Sequence, residues 1–172
     1  IKVSNPNVSE IYNEEYPDVS VNKNGFVAVV WQDFRYGSSD PDIYARTYQL
    51  RLADKTIIEY QEREIAGSAI AQREPRVTVF PDNDYMVVWS ESRSAVSRYD
   101  IYGRACINDN LFNEFLINGD TLDQRFPDIA CRNTDSCYVA WQSQEVEDIF
   151  SSYYDIYCRA YRHTSDGMYA FT

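Results

Sequence analysis

The sequence predicts an all-β protein, a pseudo-threefold repeat of four-stranded antiparallel units. Three observations lead there. One set of residues recurs three times at fixed spacing. Short segments rich in Val and aromatics are apolar on both alternating faces. Clusters of Asn, Asp and Gly punctuate the chain between them.

The recurring residues come in order along the chain. Tyr16-Pro17-Asp18-Val19 leads to Phe26-Val27-Ala28-Val29-Val30-Trp31 and then to Asp42-Ile43-Tyr44-Ala45-Arg46. Glu74-Pro75-Arg76-Val77 leads to Tyr85-Met86-Val87-Val88-Trp89 and to Asp100-Ile101-Tyr102-Gly103-Arg104. Phe126-Pro127-Asp128-Ile129 leads to Tyr138-Val139-Ala140-Trp141 and to Asp155-Ile156-Tyr157-Cys158-Arg159. Pro and Trp stand 14 residues apart in every copy, and the copies begin 58 and then 52 residues apart. This divides the chain into an N-terminal arm (1–15) and repeats at 16–73, 74–125 and 126–172.

Within a repeat, the Trp segment reads as a strand covered on both sides. Val27, Val29 and Trp31 share one face, and Phe26, Ala28 and Val30 share the other, as when small sheets stack on one another. Turns follow at Asn22-Lys23-Asn24-Gly25, Pro81-Asp82-Asn83-Asp84 and Arg132-Asn133-Thr134-Asp135-Ser136. A fourth strand is expected near 56–65 and 111–117, with a short helix as the alternative. Four strands in about 50 residues is the size of one propeller-like blade.

The Trp and Asp-Ile-Tyr segments are expected to pair as a hairpin. Taking 36–41 as its loop sets Arg35 opposite Asp42, Asp33 opposite Tyr44, and Trp31 opposite Arg46. The second copy then sets Arg93 opposite Asp100, Glu91 opposite Tyr102, and Trp89 opposite Arg104. Each hairpin would hold an ion pair near its loop and an Arg over a Trp ring. Asp and Arg of one segment lie about 13 Å apart along a strand, too far to pair with each other. Trp31, Trp89, Trp141, Arg46, Arg104, Arg159, Asp42, Asp100 and Asp155 therefore read as structural, with a ligand-binding row as the alternative.

In the third copy Glu145 replaces the loop Arg, with Glu147, Asp148 and Asp155 nearby. Such an oxygen-rich loop suits Ca²⁺, although no EF-hand spacing accompanies it and a solvated acidic loop is the alternative. No other cofactor is expected.

At 172 residues the chain is one domain by size, with 27 acidic and 16 basic residues and a net charge of −11. That charge repels phosphate backbones and anionic lipid, which argues against nucleic-acid partners. Aromatics reach 15%, including 15 Tyr, which excludes a disordered acidic tail. No apolar run nears the roughly 20 residues that span a bilayer, and no basic-then-apolar leader is present. A cytosolic or already processed chain is the expectation from that. Four cysteines favour the second: Cys131 and Cys137 flank a five-residue turn, and Cys106 and Cys158 occupy equivalent strands. Either pair could form a disulfide, which would place the protein outside the cytosol. Asn7-Val8-Ser9 is an acceptor sequon for N-glycosylation.

Catalytic signatures are sparse. His163, the one histidine, sits in polar Arg162-His163-Thr164-Ser165 and reads as a surface loop residue. A Ser–His–acid triad would need it, yet no nucleophile elbow accompanies it. Six glycines leave little room for a phosphate-cradling loop. Paired carboxylates of glycosidase type stay open. No catalytic residue is assigned, and an enzyme is not expected.

The Pro-Asp-Val…Val-Val-Trp-Gln-Asp-x-Arg-x-Gly…Asp-Ile-Tyr-x-Arg run from Pro17 to Arg46 resembles blades of secreted β-propeller repeat proteins of microbial surfaces. It is loosely similar to sialidase-like propellers, without their Ser-x-Asp-x-Gly-x-x-Trp box. The resemblance implies four-stranded blades and a non-catalytic binding or scaffold role. Closed propellers have four to eight blades, and three repeats fall short of that. Ile1-Lys2-Val3 matches the strands before Pro75 (Glu64-Ile65) and Pro127 (Leu116-Ile117), so it reads as a last strand in search of a blade. It would close onto the chain's own third repeat or add to a neighbouring subunit, building an oligomer or filament. The expected function is thus a non-catalytic extracellular structural protein that assembles with itself. A lectin-like module using glycan-binding loops at 36–42, 96–99 and 151–154, and a glycosidase-like hydrolase, are the alternatives.

Overall fold

Each repeat forms one antiparallel sheet, and the described residues contain no helix. The structure is a computed structural model. It describes residues 2–4, 12–37, 39–51, 53–92, 98–119, 122–133, 136–148 and 151–171, with the backbone alone at 147, 148 and 151. The first sheet runs β1 (Glu14–Val21), β2 (Phe26–Asp33), β3 (Asp42–Arg51) and β4 (Thr56–Glu59), and β5 (Arg63–Ala66) also pairs with β3. The second runs β6 (Gln72–Val79), β7 (Tyr85–Glu91), β8 (Asp100–Ile107) and β10 (Phe115–Asn118), with β9 (Asn110–Leu111) also on β8. The third runs β11 (Gln124–Cys131), β12 (Ser136–Asp148), β13 (Ser151–Thr164) and β14 (Gly167–Ala170). The expected fourth strand is real in the first two repeats but broken in two. In the first, the break lets Glu62 turn inward to bond both Arg35 and Arg46.

The constant Pro-to-Trp interval has a geometric cause. Each first strand bulges at its X-Pro pair, and the residue before proline takes a left-handed φ: 52° at Tyr16, 59° at Glu74 and 53° at Phe126. The ladder slips between Glu15 and Asp18, Arg73 and Arg76, and Arg125 and Asp128. Two bulge residues therefore stand opposite Trp31, Trp89 and Trp141 respectively. Proline has no N–H to give the ladder, so a bulge is where a strand tolerates it. The left-handed conformation costs about 1–2 kcal/mol at an L-residue. Hydrogen bonds from the preceding sheet help to hold it: Gln32 Oε1 accepts the Glu74 N–H at 2.8 Å, and Glu74 Oε2 accepts the Phe126 N–H at 3.0 Å.

The hairpin register differs from the expected one by two residues. Trp31 pairs with Tyr44, Val29 with Arg46, and Asp33 with Asp42; Trp89 pairs with Tyr102, Val87 with Arg104, and Glu91 with Asp100. The reason lies at Asp33, whose Oδ1 accepts the Arg35 N–H at 2.9 Å and so ends β2 before Phe34. Arg35 then forks onto Asp33 and reaches Glu62, with its guanidinium 3.8 Å above Tyr44. The predicted Arg35–Asp42 ion pair and Arg-over-Trp contacts are not made. Arg93 lies outside the described residues. Each Trp instead stacks on the Tyr across the ladder, with centroids 6.4, 6.4 and 6.2 Å apart in the three repeats. Trp31 and Trp89 donate Nε1–H to Asp33 and Glu91. Ser143 holds that position in the third repeat, and Trp141 Nε1 has no partner among the described residues.

Asp42 is buried directly across from Asp33, and like charges opposite one another oppose pairing. Burial, with the charges of Glu64 and Asp33, pushes its carboxyl up to about 6 against the pull of the Ser68 N–H and Arg35. A carboxyl raised on folding contributes stability that is complete below its unfolded value and lost as pH rises through about 6. Asp42→Asn, which can still accept the Ser68 N–H, is expected to gain ~1–2 kcal/mol at pH 7.5 and nothing at pH 4. Urea unfolding at the two pH values checks it.

The sheets stack face to face in chain order. Ala28, Val30, Ile43, Ala45 and Ile65 of the first pack on Val77, Val79, Tyr85, Val87, Trp89 and Tyr102 of the second. Met86, Val88, Ile101 and Ile117 of the second pack on Ile129, Cys137, Val139, Trp141 and Tyr161 of the third. Side-chain alternation thus gives every sheet a front face, carrying the Trp, and a back face, carrying the Ile of Asp-Ile-Tyr. Polar contacts lock each joint. Val77 and Val79 donate edge N–H groups to Asp18 Oδ2 and Ser20 Oγ of β1, at 2.9 and 3.1 Å. Edge strands left bare would invite other pairings.

Candidate functional site

The two ends of the stack carry the faces that the joints bury. On the front of the first sheet lie Val19, Val21, Val27, Val29 and Trp31, because Ala28 and Val30 face the second sheet. Val19 is 61% exposed, whereas its counterparts Val77 and Ile129 are 4% and 7% exposed. On the back of the third sheet, Tyr138 and Ile156 are exposed, Ile156 by 75%, while Ile43 and Ile101 at the same repeat position are fully buried. At these positions residues that seal the two joints stand open at the ends of the stack, whereas Trp31 on the first front face is itself buried.

The signature arginines show the same asymmetry. Arg104 donates to the Ile65 carbonyl at 2.7 Å and Arg159 to the Ile117 carbonyl, each on the outer strand of the preceding sheet. Arg46, buried on the front of the first sheet, instead bonds Glu59 and Glu62 of its own sheet. Lys2, Val3 and Ser4 form no strand. Val3 and Ser4 share a recess with Glu14, Glu15, Pro17, Val29 and Trp31 on this face. Ile1 and the sequon asparagine, Asn7, lie outside the described residues.

The expected acidic centre is only partly described, since the side chains of Glu147 and Asp148 are not. Glu145 Oε1 accepts the Tyr157 O–H at 2.9 Å, and Asp155 pairs with Ser143 across the ladder. The ladder pairs Glu145 with Tyr153 and Ser143 with Asp155, which sets these two carboxylates two positions apart rather than facing each other.

A different cluster forms at the opposite ends of the strands. His163 is buried on β13, a correction to its reading as a loop residue, because β13 continues through Thr164. Alternation from Arg159 and Tyr161 turns His163 toward the second sheet. There its ring stacks on Phe80 at 4.3 Å and 15°, and Nε2 lies 3.0 Å from Asp84 Oδ2. Asp82 Oδ2 is 3.9 Å from Nδ1. Asp82 and Asp84 also line a recess between the first and second sheets, of about 220 Å³, with Tyr60, Tyr85, Asn108 and Asp109.

The cysteines are free thiols, contrary to the disulfide expectation. Cys131 and Cys137 do face each other across the ladder. Their sulfurs, however, are engaged by the second sheet: Cys131 with Thr78 Oγ1 and the Val79 carbonyl, Cys137 with Met86. Cys106 is buried at the first joint while Cys158 is exposed on the open back face, so they do not meet. Burial pushes the Cys137 thiol up to about 12, with the neighbouring Cys131 adding to it, which makes it inert.

No protein-family model matches this sequence, and no curated protein matches it.

Proposed function

We propose that the chain is a non-catalytic structural repeat protein, propeller-like in the stacking of its sheets, that assembles head to tail with further copies of itself. The observation that carries this is the matched exposure at the two ends. The front face of one copy, with Val19 and Val21, is a counterpart of the two fronts already buried inside the stack. The back face of another, with Tyr138 and Ile156, supplies the kind of surface those fronts receive. Continuity with the internal joints argues for docking by sheet faces rather than by an added N-terminal strand. The contact is heterologous, so it ends in a ring if the rotation closes and in a filament if it does not. The Asn7 sequon supports an extracellular or cell-surface setting for such an assembly.

Sedimentation velocity checks it through two exposed positions. The chain is expected to self-associate, and Val19→Glu or Ile156→Glu alone is expected to abolish that. An equal mixture of the two variants should form dimers and stop there, because each retains one working face. A monomeric parent chain at tens of micromolar would sink the proposal.

A carbohydrate-binding role is the second reading. It is favoured by the recess that combines Tyr60 and Tyr85 with Asp82, Asn83, Asn108 and Asp109. Tyrosine rings stack on sugars while carboxylates and amides bond their hydroxyls; a glycan array on the parent chain is the check.

A further inference from the structure

We propose that Asp82, Asp84 and His163 form a binding site for a first-row divalent cation, with Zn²⁺ as its probe. One oxygen of each carboxylate and one imidazole nitrogen lie within 4.8 Å of one another. In a tetrahedral zinc site, bonds of about 2.0–2.2 Å place ligand atoms about 3.3 Å apart, so the present spacing needs a shift of about 1 Å or so to close. Imidazole nitrogen with carboxylate oxygen is a donor set for first-row ions rather than for calcium, which takes six or more oxygens.

Surrounding groups hold the ligands in place. Asn108 N–H bonds Asp84 Oδ1 at 2.8 Å, which leaves Oδ2 toward the ring. The Asp84 N–H reaches Asp82 Oδ1 at 3.4 Å, and Phe80 fixes the plane of the imidazole. A second shell of this kind orients ligands in metal sites. An ion pair alone does not use the arrangement fully. Asp82 Oδ2, 3.9 Å from the ring, is beyond hydrogen-bond reach. A divalent ion engages all three groups and balances both carboxylates. Entry is open on the side of Asp82, which is exposed and lines the recess at the turn end of the sheets. Because His163 comes from the third sheet and the aspartates from the second, an ion here clamps that joint.

Zinc titration of the reduced 172-residue chain by calorimetry tests this. One ion per chain is expected, with a rise in melting temperature that a chelator reverses. Asp82→Asn and His163→Gln should each weaken binding tenfold or more. Asp82 is exposed, so Asp82→Asn keeps the fold and every cysteine, which separates this site from thiol binding. Absence of saturable zinc binding, unchanged affinity in Asp82→Asn, or calcium bound as tightly as zinc would each overturn the proposal.

Discussion

Replacing Glu74 with Ala is expected to lower stability by ~3–5 kcal/mol, the loss typical of one partner removed from a buried ion pair. Its carboxylate joins three elements. Arg125 binds both oxygens at 2.5 and 3.2 Å, the Phe126 N–H binds one at 3.0 Å, and Ser90 O–H binds the same one at 2.9 Å. Without it, the third sheet's bulge N–H and a half-buried guanidinium lose their acceptor together. Arg125→Ala is expected to lose as much, and the double variant less than the sum. The pH dependence has a definite sign. Burial raises the Glu74 carboxyl, but the bonds and charge of Arg125, with the Phe126 N–H and Ser90, outweigh it and hold it below its ordinary value. A depressed carboxyl contributes stability that is present above the unfolded value near 4.5 and lost as pH falls through the folded one. Denaturant midpoints of parent and Glu74→Ala should therefore lie far apart at pH 7 and converge at pH 3. Equal midpoints at pH 7 would refute the bridging role.

The other large effect belongs to Trp89→Ala, expected at ~4–5 kcal/mol. Its ring is wholly buried at the first joint, stacks on Tyr102, and donates Nε1–H to buried Glu91 at 2.8 Å. For a chain of this length that is a fall in Tm of about 10 °C or more. Trp31 is the internal control, since it holds the same repeat position and is also buried, at 4% exposed, but belongs to neither joint cluster. Thermal unfolding should find Trp31→Ala clearly milder, and equal losses would mean that the stacking joint is not what Trp89 serves.

Strand content and the three sheets were legible because Pro, Trp and Asp-Ile-Tyr recur with little variation. The two-faced apolar pattern of the Trp strands matches packing on both sides in the second sheet, while the first and third sheets each pack on one neighbour. What sequence reasoning missed was set by short-range side-chain chemistry. The hairpin register turned on Asp33 capping the Arg35 N–H, a bond that spacing alone does not reveal. His163 looked solvent-exposed because Arg162, Thr164 and Ser165 surround it. Continuing the alternation Tyr157, Arg159, Tyr161 by one step would have turned it inward. Asp82 and Asp84 were read only as turn formers, since their partner is 79 residues away from Asp84 and on another sheet. The cysteine pair was placed opposite correctly, but the neighbouring sheet, invisible in a hairpin argument, engaged both sulfurs.

The reach of Arg104 and Arg159 to carbonyls of the sheet before them gives the chain a direction in time. Neither acceptor exists as a fixed target until the preceding sheet has closed its outer strand. The same holds for the Glu74 and Phe126 N–H groups, whose acceptors come from upstream. A chain emerging from the ribosome presents these targets in the right order, since the upstream part is made first. Each finished sheet thus acts as a template for the next, and a permuted chain begun at the third repeat would have to wait for its own tail.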